Sequence, residues 1–268
     1  MKTIKCLLLI SFGLACIAPQ SFSTETTNTE TTPLPKEIPQ NSAINGQIEI
    51  AQKMLEFMQY NSNYTPQDYT KIVEWFSKIA SQGNIKAQRI LGLMYYNGLG
   101  VIKDYSKSIG WLSKAAKQGD AIAQETLGLM YYDGQGVNQD YTQAKDLLSK
   151  AADQGNDIAQ ELLGNIYYYG QGVTKNYTKA FEFYTQAANQ GDKIAQTLLG
   201  NMYYKGLGTA QDYEKAKTWF LKAANQGDDI AQTILGLMYY NGTGVAQDNT
   251  KAKTYFQQAC DYYQSLNK

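Results

Sequence analysis

The stretch LGLMYYNGLGV at residues 91–101 returns as LGLMYYDGQGV at 127–137, LGNIYYYGQGV at 163–173, LGNMYYKGLGT at 199–209 and LGLMYYNGTGV at 235–245. The spacing is 36 residues each time. A fixed period of this size is the sequence signature of a solenoid, in which no unit buries its apolar face until a neighbour stacks on it. The repeat therefore outweighs the length of 268 residues, which would otherwise suggest one or two globular domains.

Each period holds two helical patterns. In the unit 156–191, NDIAQELLGNIYYY forms a first helix, GQGV a turn and NYTKAFEFYTQAANQG a second helix. Asp68, Asp104, Asp140, Asn176, Asp212 and Asp248 stand just before the second helices, where a short acceptor satisfies free N–H groups of the first turn. Gly119, Gly155, Gly191 and Gly227 follow them as helix stops. The glycine pairs, Gly98 with Gly100 through Gly242 with Gly244, suit a tight turn at positive φ. A phosphate-cradling loop would need a preceding strand and further motif residues. Gly92, Gly128, Gly164, Gly200 and Gly236 lie inside a helix at a cost of about 1 kcal/mol each. Their expected return is close approach of the alanine pair of the second helix, such as Ala115 with Ala116.

Counting back one period from Ala87, Gln88, Leu91 and Tyr96 reaches Ala51, Gln52, Leu55 and Tyr60, a degenerate first unit in which Glu56, Ser62 and Tyr64 replace glycines. The chain thus reads as all-α, with six helix-turn-helix units at 48–83, 84–119, 120–155, 156–191, 192–227 and 228–263, followed by a tail at 264–268. The two outer units read as caps.

The pattern A-Q-x-x-L-G-x-M-Y-Y-x-G-x-G-V, then D-Y-x-K-A, an aromatic residue and K-A-A-x-Q-G, resembles the Sel-1-like repeat family over 84–260, and with gaps back to about 48. That resemblance implies antiparallel helix pairs in a right-handed superhelical solenoid, and function as an adaptor or scaffold. Bacterial exported members include host-cell interaction factors, periplasmic regulators of signalling and cysteine-rich proteins. This chain lacks the paired cysteines of the last group.

Comparison among the repeats separates columns held by stacking from columns that vary. In the first helix the changing columns are Arg89, Glu125, Glu161, Thr197 and Thr233; Leu93, Leu129, Asn165, Asn201 and Leu237; and Asn97, Asp133, Tyr169, Lys205 and Asn241. They are spaced i, i+4, i+8 and share one stripe. The resemblance implies that this stripe lines the concave groove and binds a partner protein or peptide, with its leucines little buried in the free chain. The alternative is plain solvent exposure. The Tyr-Tyr columns, 95 with 96 through 239 with 240, read as packing, with sugar stacking the alternative. Gln88, Gln124, Gln160, Gln196 and Gln232 read as a hydrogen-bonded ladder inside the stack.

No histidine is present, which removes Ser-His and Cys-His catalysis and the ordinary His-bound metal site. Glu125 and Glu161 share a column on adjacent repeats, about 10 Å apart and so near or beyond the wider separation used in inverting glycoside hydrolysis, and nothing in the sequence marks either acid as raised in pKa. The reading is of a protein that is not an enzyme and carries no cofactor or metal. Net charge is zero, or −2 once Lys2 and Lys5 are removed to leave 22 basic against 24 acidic residues, so nothing attracts nucleic acid.

Those two lysines precede an apolar run at 7–18, too short to span a bilayer. Residues 1–23 read as a signal peptide cleaved after Ser23, directing the chain to the periplasm or beyond. Lipidation at Cys16, and with it membrane attachment, is the alternative, although Gly13 stands where a lipobox wants leucine. Residues 24–47, rich in Thr, Pro and Glu, read as a disordered linker. Cys260, in the column of Ala116, Ala152, Ala188 and Ala224, reads as a small buried packing residue. Besides the protein partner, a glycan or peptidoglycan ligand contacted through exposed tyrosines is the second functional expectation.

Overall fold

The computed structural model describes residues 66–266 together with 44, 46, 48, 49 and 51–53. The expected signal peptide, Cys16, most of the linker and the atypical Glu56, Ser62 and Tyr64 lie outside the described residues. Residues 44 and 46 are helical, so helix reaches into the span read as linker. The chain divides into two compact units, 1–103 and 104–268.

In the first unit, α1 (Pro66–Ser81) packs against α2 (Ile85–Asn97) over a core that includes Phe76, Ile90, Leu91 and Met94. Asp68 lies inside α1 rather than ahead of it, because the helix already begins at Pro66, a residue preset for the first helical turn.

The second unit contains α3 (Tyr105–Lys117), α4 (Ala121–Asp133), α5 (Tyr141–Ala152), α6 (Asp157–Tyr169), α7 (Tyr177–Gln190), α8 (Lys193–Lys205), α9 (Tyr213–Asn225), α10 (Asp229–Asn241) and α11 (Asn249–Leu266). Within this unit each helix packs against its neighbours in the chain, which is the contact pattern of a solenoid. No strand occurs among the described residues.

Caps set the helix ends. The side chains of Asp104, Asp140, Asn176 and Asp212 accept from backbone N–H groups in the first turns of α3, α5, α7 and α9, and Asp248 does so for α11. A second set was not expected: Asn84, Asp120, Asn156, Asp192 and Asp228 cap α2, α4, α6, α8 and α10 in the same way. The signal for it stood in the sequence, as an Asn or Asp directly after each helix-stop glycine.

The glycine pairs form the turns. In the turn after α8, Gly206 and Gly208 have φ of 69° and 68°, and a Cβ at Gly208 would strike the carbonyl oxygen of Tyr177 in the preceding repeat. The second glycine of a pair therefore also seats its turn on the start of an earlier helix.

The mid-helix glycines have a different partner from the one expected. A Cβ at Gly128 would lie 2.8 Å from Leu148 Cγ, one at Gly200 2.7 Å from Phe220 Cε1, and one at Gly236 2.6 Å from Phe256 Cε1. Gly164 likewise opposes the Tyr184 ring. Each glycine makes room for one large side chain of the second helix, and burying such a chain contributes about 1.5 to 3 kcal/mol, enough to offset the helix cost of glycine. The alanine pairs pack elsewhere: Ala187 and Ala188 of α7 cluster with Ala195, Leu199 and Met202 of α8, the first helix of the next repeat.

Two polar systems tie repeat to repeat. The Nε2 of Gln124, Gln160, Gln196 and Gln232 donates to the carbonyls of Ala116, Ala152, Ala188 and Ala224 at 3.0 to 3.3 Å. The Oε1 of Gln124, Gln160 and Gln196 accepts from Gln154, Gln190 and Gln226 at 2.7 to 2.9 Å, so the expected ladder is present. It lapses in the last repeat, where the buried Oε1 of Gln232 has no partner and Tyr262 occupies the column of the donating glutamines. Near the turns, Tyr132 donates to Gln171 Oε1 at 2.8 Å, and Gln171 Nε2 donates to Tyr141 at 3.2 Å.

Candidate functional site

The Tyr-Tyr columns pack, as expected, except at Tyr240, which is 56% exposed. Tyr167 stacks on Phe183 and Tyr239 on Tyr255, each an aromatic residue of its own second helix, with centroids 5.8 Å apart in both cases, whereas Tyr203 meets Phe181 of the preceding second helix edge-on. The second meets the tyrosine that opens that helix edge-on, as in Tyr132 with Tyr141, Tyr168 with Tyr177 and Tyr204 with Tyr213. Rings held in this way are not free to stack on a sugar.

The fifteen residues of the variable stripe fall into three layers along the first helices. The layer nearest the helix N-termini is an internal joint. Glu125 is 5% exposed, and its Oε2 accepts from Nδ2 of Asn156, the cap of α6, at 3.1 Å. Thr197, also buried, donates to Oδ1 of Asp228, the cap of α10, at 3.0 Å. Glu161 is half-buried and accepts from Nδ2 of Asn165, whose Oδ1 accepts from the Tyr184 hydroxyl at 2.7 Å. Arg89 is half-buried, and only Thr233, in the last repeat, is exposed. The expectation of a solvated stripe fails at this layer chiefly because Glu125 and Thr197 bond the capping residue of the following repeat and Glu161 bonds Asn165 of its own helix.

The same arrangement raises two acids. Burial pushes the Glu125 carboxyl up to about 7, with Asp157 adding to the rise and the Asn156 hydrogen bond opposing it. Burial likewise pushes Glu161 up to about 7, helped by Asp192 and then Asp157 against the Asn165 hydrogen bond. Asp192 is itself raised, chiefly by burial. Nothing in the residue pattern marked this. A raised carboxyl also marks many active sites. Here each acid is engaged by a structural amide, and no group of three metal-ligating side chains occurs among the described residues.

The middle layer is uneven. Leu93 is 1% exposed, which corrects the expectation of slight burial, whereas Leu237 is 47% exposed. Leu129, Asn165 and Asn201 are half-buried. Changing Leu93 to serine is therefore expected to destabilise the fold by about 2 to 5 kcal/mol, and changing Leu237 to serine by less than about 0.5 kcal/mol, in parallel thermal melts. Only the second is a clean probe of binding.

The outer layer is the accessible one. Asp133, Tyr169, Lys205 and Asn241 are exposed, Tyr169 at 58%, while Asn97 is half-buried and donates to the Leu93 carbonyl at 2.9 Å. Exposed large apolar side chains gather on these same helices. Among the described residues they are Tyr169 on α6, Ile194 on α8, Ile230, Leu237 and Tyr240 on α10, and Ile44 and Ile102 elsewhere.

The Sel1 repeat model matches the chain six times, at 46–84, 85–120, 121–156, 157–192, 193–228 and 229–261. Among solved structures, a protective antigen of uropathogenic Escherichia coli with an SLR fold is 36% identical, with a TM-score of 0.72 over 81% of this chain and 46% of that one. The chain thus spans less than half the length of that relative. A Sel1 repeat protein from Oxalobacter formigenes is 31% identical, with a TM-score of 0.71 over 80% of this chain and 84% of that one. The immunity protein Pa5087 from Pseudomonas aeruginosa, 23% identical with a TM-score of 0.51 over 82% of this chain and 83% of its own, shares the fold. No curated protein sequence matches. With six matched repeats running from 46 to 261, and with helix pairs whose glycines, caps and glutamine ladder recur in register, the chain belongs to the Sel1 repeat family.

Proposed function

We propose that this chain is an exported scaffold that binds a partner protein or peptide along the concave face formed by its first helices. Sel1 repeat proteins are generally scaffolds for protein–protein contact and generally non-catalytic, so the class follows from the family. The observation that carries the choice of face is the concentration of exposed large apolar side chains on α6, α8 and α10, with none on a second helix among the described residues. Of these, Tyr169 and Leu237 lie on the variable stripe itself, and exposed large apolar side chains on an otherwise polar protein favour an interaction site there.

The test is affinity capture from envelope extracts, and from host-cell lysate if the source organism lives in a host. Tyr169→Ala and Leu237→Ser together are expected to weaken capture at least tenfold while leaving helicity unchanged. Undiminished capture would place the contact elsewhere. The exposed Tyr169 also supports a glycan or peptidoglycan ligand as the second reading. Sacculus binding that is lost on Tyr169→Ala would favour it.

Export is part of the same proposal. It rests on Lys2, Lys5 and the apolar run at 7–18, and it is supported by the description of one relative as a protective antigen. Fractionation of native cells should find the chain outside the cytoplasm with Thr24 as its first residue. An acylated Cys16 would instead make it a lipoprotein, and a full-length cytoplasmic chain would refute export.

A further inference from the structure

Of the three joints that link α4 to α6, α6 to α8 and α8 to α10, the middle one has no donor between its partners. At the first, the cap Asn156 donates to Glu125 at 3.1 Å, and at the third Thr197 donates to the cap Asp228 at 3.0 Å. At the second, the same two columns hold Glu161 and Asp192, two carboxyl groups. Glu161 uses Oε1 to accept from Asn165 of its own helix, and Asp192 uses Oδ1 to accept from the Ala195 N–H that it caps. Asp192 is nonetheless the leading charge acting on Glu161, ahead of Asp157.

We propose that the Glu161–Asp192 pair is a pH-operated joint, closed while the two carboxyl groups share a proton and opened when both ionise. With one proton on the pair, the carboxyl of one can donate to the carboxylate of the other, and two acids held this close resist ionising together. With none, like charges meet across the joint and Lys193, beside Asp192, is the cation at hand. Ionised Glu125 differs, because it keeps the Asn156 amide as a donor, so the first joint holds in either state.

The surroundings add no compensating charge. Asp157 on α6 opposes ionisation of Glu161, and the Tyr132 and Tyr184 rings on α4 and α7 also feel its charge. Of the helices packed on α6, α5 carries Lys145, Asp146 and Lys150 and α7 carries Lys179 and Glu182, none of which acts on Glu161. Glu161 gives up its proton at about 7, so the joint is closed at pH 5.5 and open at pH 8. It lies between the helices that carry Tyr169 and Lys205, so opening alters the spacing of exposed side chains on successive repeats. The proposal concerns the joint and stands whatever binds there.

The test is amide hydrogen exchange in the full chain, resolved by residue with NMR and corrected for the pH dependence of intrinsic exchange. It compares the Ala195 N–H, held by Asp192, with the Ala159 N–H, held by Asn156. Protection at Ala195 is expected to fall at least tenfold relative to Ala159 between pH 5.5 and 8. Asp192→Asn supplies the missing donor and remains a good helix cap, so it should keep the low-pH protection of Ala195 at pH 8. Glu161→Gln, which leaves the cap untouched, should do the same, whereas Glu125→Gln should leave the Ala195 change intact. Parallel behaviour of Ala195 and Ala159 in the parent would overturn the proposal. So would a Glu161→Gln or Asp192→Asn variant with unchanged circular dichroism that still loses protection at Ala195.

Discussion

Replacing Gly208 with alanine is expected to destabilise the protein by about 2 to 5 kcal/mol, the largest single-residue effect among the turn glycines. Two costs combine. The residue sits at φ 68°, which an L side chain adopts at a cost of order 1 to 3 kcal/mol, and the new methyl group meets the Tyr177 carbonyl and the Thr178 backbone nitrogen rather than a flexible side-chain end. Gly227 is the control. It has φ 78° but no atom within 4 Å of an added Cβ, so Gly227→Ala carries the conformational cost alone. At about 2 to 4 °C per kcal/mol, thermal melts should separate the two variants by several degrees. Equal melting temperatures would mean that the turn does not bear on the preceding helix.

The second large effect concerns pH. Glu125 and Glu161 hold their protons up to about pH 7 when folded, while an unfolded glutamate releases its proton near ~4.3. Between those values the folded state binds more protons than the unfolded one, so stability falls as pH rises from about 4.5 to about 7 and then levels off. Each group accounts for about 3 to 4 kcal/mol of that fall. The helix-capping Asp104, Asp140, Asp212 and Asp248 act in the opposite sense, because backbone N–H groups lower them. Their contribution is present above ~3.9 and is lost as pH drops through their folded values. The melting temperature should therefore peak near pH 4.5 to 5. Glu125→Gln with Glu161→Gln keeps an acceptor for Asn156 and Asn165 and removes the ionisation. This double variant should melt well above the parent at pH 8 and match it near pH 4.5. A parent whose stability is flat from pH 5 to 8 would show that both acids ionise freely.

The sequence revealed the period, the turns and the glutamine ladder because each rests on residues that one geometry demands at every repeat. Its legibility failed where a column varies for a structural reason. Glu125 and Thr197 looked unconstrained, yet each bonds the cap of the next repeat, Asn156 or Asp228, so a varying column here is a structural joint. Leu93 and Leu237 share a column and differ from 1% to 47% in exposure, because burial depends on what the neighbouring elements bring and not on the residue itself. Cys260 was misjudged for the same reason. It is exposed, whereas Ala116, Ala152, Ala188 and Ala224 of the same column are buried.

The caps between repeats have a further consequence for the length of the chain. Excising residues 156–191 would join Gly155 to Asp192 and leave every column in step, with Tyr141 facing Gly208 in place of Gly172 and Gln196 reaching back to Ala152. One joint would change character, since Glu125 would then meet the carboxylate of Asp192 where it now meets the amide of Asn156. The array behaves as a ruler cut in whole steps, and the polar pair at each junction decides which neighbours tolerate being made adjacent.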